Sequence, residues 1–262
     1  MKTEIWAHRG SSHTYIENTR AAFQRAIDDG AEGIELDVQR TKDGELIVYH
    51  DENFKRLTGV NKLVEESTWA EVQELTLSSP HVAHAEDKTI ILLEEALLLT
   101  KDTALTINIE LKNSNYFYPG IEEEVLECVD NIGMREQVLF SSFNHESMNR
   151  MSQLVGAERC AILTSDSQFE AWAYAERVGV KAIHPMINSM KQKDFVINCH
   201  KQGLKVHVWT ADEEAHINGA LLLGVNVIMT NLPEKAIQLR KQFQEDNGKS
   251  ALASVQSLGL SI

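Results

Sequence analysis

Short apolar segments alternate along the chain with longer stretches whose apolar residues recur at helical spacing. In the stretch 18–29, for example, Ala22, Phe23, Ala26 and Ile27 share one helical face, and Gly30 marks the end. Nine segments are rich in β-branched and aliphatic residues and predict strands, at 4–8, 33–40, 45–50, 105–112, 137–143, 160–163, 181–184, 205–210 and 225–230. This alternation predicts βαβ units with parallel strands.

One connection is too short for a helix. Only Thr41-Lys42-Asp43-Gly44 separates the second and third predicted strands, and Asp-Gly is typical of a hairpin turn. A two-residue turn at Asp43-Gly44 would place His50 opposite Asp37, next to Glu35, and a register shifted by one or two residues would still bring His50 toward these carboxylates. Without the third strand, eight parallel strands remain, so we expect an α/β fold, a closed (β/α)8 TIM barrel.

The segment 51–88 is too long for a simple loop and contains Thr68-Trp69-Ala70-Glu71, a capping-box pattern. We therefore expect a small inserted subdomain after the second strand region. The barrel domain is predicted to span 1–240. The remainder, 241–262, turns to Gly, Ser, Ala and Gln and is predicted to be a flexible C-terminal tail.

Charged residues interrupt strands that should be buried. Glu35 and Asp37 are two positions apart, so they point to one face of their strand, and Glu110 and Lys112 do the same on a later strand. Buried carboxylates are costly unless they are paired or bind a metal, and oxygen ligands suit Mg²⁺ or Ca²⁺. The alternative is that these carboxylates only form salt bridges with Arg9 and Lys112.

Composition limits the range of partners. The chain has 262 residues, 39 acidic and 25 basic, for a net charge of −14. Such a chain repels nucleic acid and anionic membranes, so we expect neither as a partner. Three scattered cysteines without CxxC spacing, and no signal peptide, favour a cytoplasmic location. The sequence leaves a homo-oligomer open.

The motifs, in their order and spacing, resemble the glycerophosphodiester phosphodiesterase family from about residue 5 to about residue 235. They are His8-Arg9-Gly10, Glu17-Asn18-Thr19, Gly33-Ile34-Glu35-Leu36-Asp37-Val38, His50-Asp51, Leu93-Glu94-Glu95, Ile109-Glu110-Leu111-Lys112, Ser142-Phe143 and Val208-Trp209-Thr210. The resemblance implies a TIM barrel and a divalent-metal-dependent hydrolase. Its substrates would be small glycerophosphodiesters, cleaved to glycerol 3-phosphate and an alcohol.

The resemblance also implies roles for residues. The family's metal ligands fall on Glu35, Asp37 and Glu110, and its catalytic histidines on His8 and His50. It implies that a glycerol hydroxyl attacks first and gives a cyclic phosphate, which water then opens. We assign His8 as the acid and His50 as the base, although the residues alone leave the direction open.

Other polar and aromatic residues near predicted strand ends complete the expected site. Arg9 and Lys112 are expected to bind the substrate phosphate, with a structural ion pair as the alternative for Arg9. Phe143 and Trp209 are expected to line the substrate pocket, although ordinary barrel packing would also explain them. The family's usual Thr-Asp pair near the last strand is Thr230-Asn231 here, which bears on the polar network around the leaving group.

Two other functions compete with this one. A phosphodiesterase acting on lipid substrates would need an apolar entrance, for which the insertion offers little beyond residues needed for packing. A non-catalytic phosphate-binding barrel would lack a catalytic residue, whereas His8, His50 and the carboxylates are all present. The sequence does not distinguish Mg²⁺ from Ca²⁺, or one alcohol head group from another.

Overall fold

The computed structural model describes residues 2–255 and contains a closed barrel. Its strands, in chain order, are β1 (Glu4–His8), β2 (Gly33–Arg40), β3 (Leu46–Val48), β4 (Ile91–Leu92), β5 (Thr106–Leu111), β6 (Val138–Ser142), β7 (Cys160–Thr164), β8 (Ala182–Pro185), β9 (Lys205–Val208) and β10 (Val227–Thr230). Strands β1, β2 and β5 to β10 pair in parallel, and β1 pairs with both β2 and β10. The predicted (β/α)8 barrel is therefore confirmed, with β3 and β4 as an antiparallel extension.

Helices cover the outside of the barrel and continue beyond its last strand. They are α1 (Arg20–Asp29), α2 (Lys55–Thr58), α3 (Trp69–Gln73), α4 (Leu93–Thr100), α5 (Ile121–Ile132), α6 (His145–Val155), α7 (Ala171–Val178), α8 (Phe195–Lys201), α9 (Glu214–Leu223), α10 (Pro233–Asp246) and α11 (Lys249–Val255). Helix α1 begins after Thr19, whose side chain accepts a hydrogen bond from the Ala22 N–H, and ends at Gly30 in the left-handed conformation.

Strand alternation separates two environments across the barrel wall. On β2, Ile34, Leu36 and Val38 join the large apolar core between the strands and the helices. Glu35 and Asp37 belong to the alternate set, which faces the barrel interior. The interior also has an apolar cluster formed by Trp6, Leu139, Ala161, Ala182, Val227 and Met229.

The hairpin between β2 and β3 differs by one residue from the expected register. Val38 pairs with Val48, so Tyr49 rather than His50 lies opposite Asp37, and the Tyr49 N–H donates to the Asp37 carbonyl at 3.0 Å. The connection is a three-residue loop, because Thr41 Oγ1 accepts from the Glu45 N–H at 2.9 Å and Gly44 takes a positive φ of 98°. His50 consequently lies beyond the end of β3.

The segment between β3 and β4 has a small apolar core of its own, which includes Tyr49, Phe54, Leu57 and Val72. Helix α3 begins with the expected capping box at Thr68 and Glu71. Ile16, from the connection between β1 and α1, is buried in the same cluster. This packing attaches the segment to the barrel beside the C-terminal end of β1.

The end of the chain differs from the predicted flexible tail. Helix α10 continues to Asp246, and α11 follows over Lys249–Val255 with Ala251 and Val255 buried, so the prediction is wrong for 241–255. Residues 256–262 lie outside the described residues. Asn218 Nδ2, on α9, donates to Ser254 Oγ at 2.8 Å. The buried face of α11 includes the small side chain of Ala251, so the hydrophobic periodicity of this segment is weak and does not predict a helix.

Two neighbouring positions of α11 test whether it is packed. Ala251 is fully buried and Leu252 is 49% exposed. We expect Ala251→Glu to lower the free energy of unfolding by about 2 kcal/mol or more, because it buries an unpaired charge. Leu252→Glu should change it by less than about 0.5 kcal/mol. Chemical denaturation measures both, and equal effects would contradict a packed helix.

The cysteines are free in the structure. Burial raises the pKa of Cys160 and Cys199 to about 12, and burial followed by Glu94 raises that of Cys128 to about 11. None is a thiolate at neutral pH, which agrees with packing roles. Within residues 2–255, no helix has the length and apolarity needed to cross a membrane.

Candidate active site

The first part of the site lies at the C-terminal end of β1. His8 is the last residue of that strand and pairs in register with Glu35 on β2. Arg9 follows with a positive φ of 56°, and its backbone N–H donates to Glu35 Oε2 at 2.9 Å. The turn therefore brings the Arg9 main chain, as well as its side chain, to the carboxylates.

Three carboxylates converge inside the barrel mouth. Glu35 and Asp37 come from β2 and Glu110 from β5, where Asp37 and Glu110 are register neighbours. One oxygen of each lies within 4.8 Å of the others, and the residues are 2%, 0% and 8% exposed, respectively. Parallel register and the two-residue period of a strand are what bring the three together.

Cations partly neutralise this cluster. Arg9 Nε lies 3.3 Å from Asp37 Oδ2, and Lys112 Nζ lies 2.9 Å from Glu110 Oε1 and 3.9 Å from Asp37 Oδ1. The salt bridges that the sequence left as an alternative are thus present. Asn18 Nδ2 also donates to Asp37 Oδ2 at 2.8 Å.

The cations divide unequally among the acids. Burial, then Asp37 and Glu110, raises the pKa of Glu35 well above its usual value. Burial acts the same way on Asp37, but Arg9, His50 and Lys112 outweigh it and lower the pKa of that carboxyl. Of these two acids, Glu35 is therefore the one whose ionisation is opposed.

The cluster fits a divalent cation on two counts. Within the described chain, Glu35 Oε1 and Asp37 Oδ1 are buried oxygens without a hydrogen-bond partner. When ionised, the three carboxylates exceed Arg9 and Lys112 by one negative charge, and a divalent cation would reverse that excess. All three acids offer the oxygen ligands that Mg²⁺ and Ca²⁺ prefer.

His8 is held through one ring nitrogen. Its Nδ1 lies 2.8 Å from Asn231 Oδ1, while Asn231 Nδ2 donates to Asp212 Oδ2 at 2.6 Å. Because Asp212 fixes the amide orientation, His8 Nδ1 carries the proton and Nε2 remains free. Burial, then the charge of Arg9, lowers the pKa of His8 to about 4.

His50 is held by a carboxylate instead of an amide. Its Nδ1 lies 2.6 Å from Asp51 Oδ1, so Nδ1–H donates to Asp51 and Nε2 is free to accept a proton. A carboxylate stabilises the imidazolium that forms when the ring takes up a proton, whereas an amide oxygen does so less. The two histidines therefore differ in the partner of Nδ1, which is an amide oxygen for His8 and a carboxylate for His50.

A cavity of about 250 Å³ brings these groups together. Its polar lining includes His8, Arg9, Glu35, His50, Glu110 and Lys112. Asp37 is fully buried and does not line the cavity. Phe143 and Trp209 form an apolar wall with Leu163 and Met229, their rings meeting edge to face at 5.6 Å. All predicted site residues except Asp37 thus border one cavity.

A family model described as the glycerophosphoryl diester phosphodiesterase family matches residues 8–235. The chain belongs to this family. A relative from Bacillus altitudinis, a glycerophosphodiester phosphodiesterase, is 39% identical over 244 residues, which cover 92% of this chain and 100% of the relative. The expectation of an enzyme that hydrolyses phosphodiesters is thereby confirmed.

Solved structures of the phosphodiesterase family share the fold. The glycerophosphodiester phosphodiesterase from Thermotoga maritima superposes with a TM-score of 0.74 at 25% identity, covering 91% of this chain and 99% of its own. An Oleispira antarctica phosphodiesterase in complex with the product sn-glycerol-3-phosphate has a TM-score of 0.79 at 23% identity. That match covers 92% and 97% of the two chains.

Several polar contacts of the candidate site were not predicted from sequence. Thr19 caps α1, whereas Glu17 binds Arg9 and Asn18 binds Asp37. Two further contacts gave no sequence pattern that could have predicted them, because the partners are distant along the chain. Arg56 donates to Glu17, and Asn231 donates to Asp212.

His184 is fully buried in the phosphodiesterase barrel, and its Nε2 lies 2.9 Å from Nδ1 of His207. Burial, then Lys205, lowers the pKa of His207 to about 3. A histidine in an unfolded chain has a pKa of about 6.5. The stability that neutral His207 provides is therefore present above about pH 6.5 and is lost as pH falls towards 3.

We expect His207→Gln to make the stability of the phosphodiesterase less dependent on pH between pH 7 and pH 4. Between pH 7 and pH 4 the wild type should lose about 3 kcal/mol more stability than the variant, because glutamine does not titrate. Urea denaturation at both pH values measures the difference, and His81→Gln at an exposed position is the control. Parallel losses in wild type and His207→Gln would contradict the titration of this pair.

Proposed function

We propose that this enzyme hydrolyses small glycerophosphodiesters to glycerol 3-phosphate and an alcohol, with a divalent cation at Glu35, Asp37 and Glu110. The observation that carries the proposal is the cavity in which these acids, two cations and two histidines meet at the barrel mouth. The product-bound Oleispira antarctica neighbour supports the same product. A cluster of carboxylates alone would repel an anionic substrate, and a cluster of cations alone would offer no ligands for a divalent metal ion.

The cation would supply Lewis-acid stabilisation of charge on the phosphate oxygens. The unpartnered oxygens of Glu35 and Asp37 support this position for it. Both Mg²⁺ and Ca²⁺ suit three carboxylates, and we propose that either supports turnover.

Arg9 and Lys112 bind the non-bridging oxygens of the phosphodiester. Both already lie beside the carboxylates. Burial alone would lower the pKa of Lys112, but the charges of Glu110 and Asp37 outweigh it and raise that pKa, so Lys112 stays charged. Their positive charge attracts the substrate anion and stabilises the charge that grows in the transition state. Phe143 and Trp209 form the apolar side of the cavity, against which the carbon atoms of glycerol pack.

His50 acts as the base in the first step. Its free Nε2 takes the proton of the glycerol hydroxyl next to the phosphate, and the hydroxyl oxygen forms a bond to phosphorus. The bond from phosphorus to the leaving oxygen breaks, and that oxygen receives a proton from His8. Asp51 supports this direction, because it stabilises the imidazolium form of His50.

His8 becomes protonated when the substrate anion lies beside its Nε2, since nearby negative charge raises the pKa of an imidazole. The product of the first step is a cyclic phosphate. In the second step neutral His8 takes a proton from water, the water oxygen bonds to phosphorus, and His50 returns its proton to the departing ring oxygen. The enzyme thereby regains its starting protonation state.

The function is tested with purified protein and glycerophosphocholine, glycerophosphoethanolamine and glycerophosphoglycerol. We expect release of glycerol 3-phosphate that EDTA abolishes and that Mg²⁺ or Ca²⁺, added back separately, restores. Release that EDTA leaves unchanged would contradict the metal. No release from any of the three substrates, with either metal, would contradict the reaction.

A further inference from the structure

Arg56, on helix α2 of the inserted segment, binds two carboxylates that lead into the active site. Its Nη1 and Nη2 donate to Glu17 Oε2 and Oε1 at 2.8 and 2.7 Å. Its Nε and Nη2 donate to Asp51 Oδ2 and Oδ1 at 2.6 and 3.0 Å. A planar guanidinium in this two-point arrangement fixes the orientation of a carboxylate as well as its charge.

Each of these carboxylates holds one group of the proposed reaction through its other contact. Asp51 Oδ1 accepts from His50 Nδ1 at 2.6 Å, and Glu17 Oε1 accepts from Arg9 Nη1 at 2.9 Å. Arg56 is therefore linked to His50 through Asp51 and to Arg9 through Glu17, with one side chain between each pair.

The contacts of Arg56 contribute more to orientation than to folding stability. Its side chain is 44% exposed, and exposed ion pairs add at most about 1 kcal/mol. The anchoring of α2 comes instead from Leu57, which is buried in the apolar core of the insertion. Glu17 and Asp51, which are less exposed at 16% and 24%, are the groups that Arg56 holds in place.

We propose that Arg56 is a positioning residue for phosphodiester hydrolysis, fixing Asp51 behind His50 and Glu17 behind Arg9. The inference rests on the proposed function, because it assigns a role to Arg56 through His50 and Arg9. It makes the inserted segment part of the catalytic apparatus, since α2 supplies the one guanidinium that bonds to both carboxylates among the described residues.

The kinetic test compares Arg56→Ala and Arg56→Lys with the wild type on glycerophosphocholine. Misplacement of a catalytic group by about 1 Å can cost about 100-fold, so we expect Arg56→Ala to lower kcat by about that factor. Arg56→Lys keeps the charge but not the two-point contacts, and should lower kcat about tenfold. The matched control is Lys62→Ala, which removes an exposed ion pair with Glu71 from the same segment and should keep wild-type kcat.

A double variant tests whether Arg56 acts through Asp51. In an Asp51→Asn background, Arg56→Ala should lower kcat only a few-fold further, because the carboxylate that it orients is already lost. A full additional 100-fold loss would contradict that route. Wild-type kcat in Arg56→Lys would reduce the role of Arg56 to charge and overturn the proposal. So would a kcat loss in Arg56→Ala that matches its unfolded fraction.

A second readout does not depend on turnover. In proton and nitrogen NMR spectra of the histidine rings, the His50 Nδ1 proton should be downfield and slow to exchange in the wild type and Lys62→Ala. It should lose both properties in Arg56→Ala. Unchanged exchange would overturn the positioning role even in an active enzyme. If the His50 proton loses its protection in Arg56→Ala but the wild-type enzyme hydrolyses none of the glycerophosphodiesters, the positioning contact would be supported and the proposed function contradicted.

Discussion

Glu35→Gln is expected to abolish hydrolysis while leaving the metal-free protein at least as stable as the wild type. Glu35 is buried beside Asp37 and Glu110, and its raised pKa shows that ionisation there is opposed. Below about pH 4.3, where a glutamate in the unfolded chain is also protonated, Glu35 costs no charge burial, and the stability it provides is lost as pH rises through its folded pKa. A neutral glutamine avoids that loss at pH 7.

The expected cost of Glu35→Gln is weaker binding of the proposed divalent cation. A carboxylate ligand is lost, so added Mg²⁺ or Ca²⁺ should no longer raise the melting temperature as it does in the wild type. Lewis-acid stabilisation is worth several kcal/mol, so kcat/KM should fall about 1,000-fold or more. Calorimetry with and without metal, together with turnover, measures both effects.

Glu122→Gln is the matched control for Glu35→Gln. Glu122 is equally buried, at 1% exposed, but it pairs with Arg150 on the outside of the barrel. We expect this variant to lose stability and to keep both turnover and stabilisation by metal. If Glu35→Gln retained wild-type turnover, or were stabilised by metal as much as the wild type, the carboxylate cluster would not be the metal site.

Substitution of either histidine is expected to remove turnover without unfolding the barrel. His8→Ala and His50→Ala should each lower kcat by about 100- to 10,000-fold, the range for loss of one acid or base. His81→Ala, at an exposed position of the inserted segment, should keep wild-type activity. Circular dichroism and thermal melts establish that each variant is folded.

The direction of proton transfer separates the two variants. A glycerophosphodiester with a 4-nitrophenyl leaving group needs little protonation when its bond breaks. If His8 is the acid of the first step, His8→Ala should form the cyclic phosphate from this substrate nearly as fast as the wild type, whereas His50→Ala should not. The reverse pattern would exchange the two roles. Equal loss in both variants would contradict any division of labour.

Much of the site could be predicted from the sequence because parallel strands impose simple rules. Glu35 and Asp37 are two residues apart, so they had to share a face, and the barrel brings Glu110 on the neighbouring strand beside them. The position of His50 was less certain, because it depends on the length of the loop after β2. That loop is held by a hydrogen bond from the Glu45 N–H to Thr41 Oγ1, which a hydrophobic pattern does not indicate.

The contacts that hold the proposed catalytic groups were the least predictable part of the site. Asp212 and Asn231 meet only because β9 and β10 are neighbours in the barrel, and Arg56 reaches Glu17 only because the insertion folds onto the connection after β1. Helix α11 was missed because its buried positions include alanine, which gives a weak hydrophobic signal. Each error concerns tertiary packing between segments far apart in the sequence.

The identity of the P–O bond that is cleaved tests the proposed reaction most directly. We would follow glycerophosphocholine with the wild-type enzyme and Mg²⁺ or Ca²⁺ by phosphorus NMR over time. We expect glycerol 3-phosphate as the final product, preceded by a transient resonance of a five-membered cyclic phosphate. Accumulation of phosphocholine, which requires cleavage on the glycerol side, would contradict the proposed reaction, as would glycerophosphocholine that remains intact with both metals.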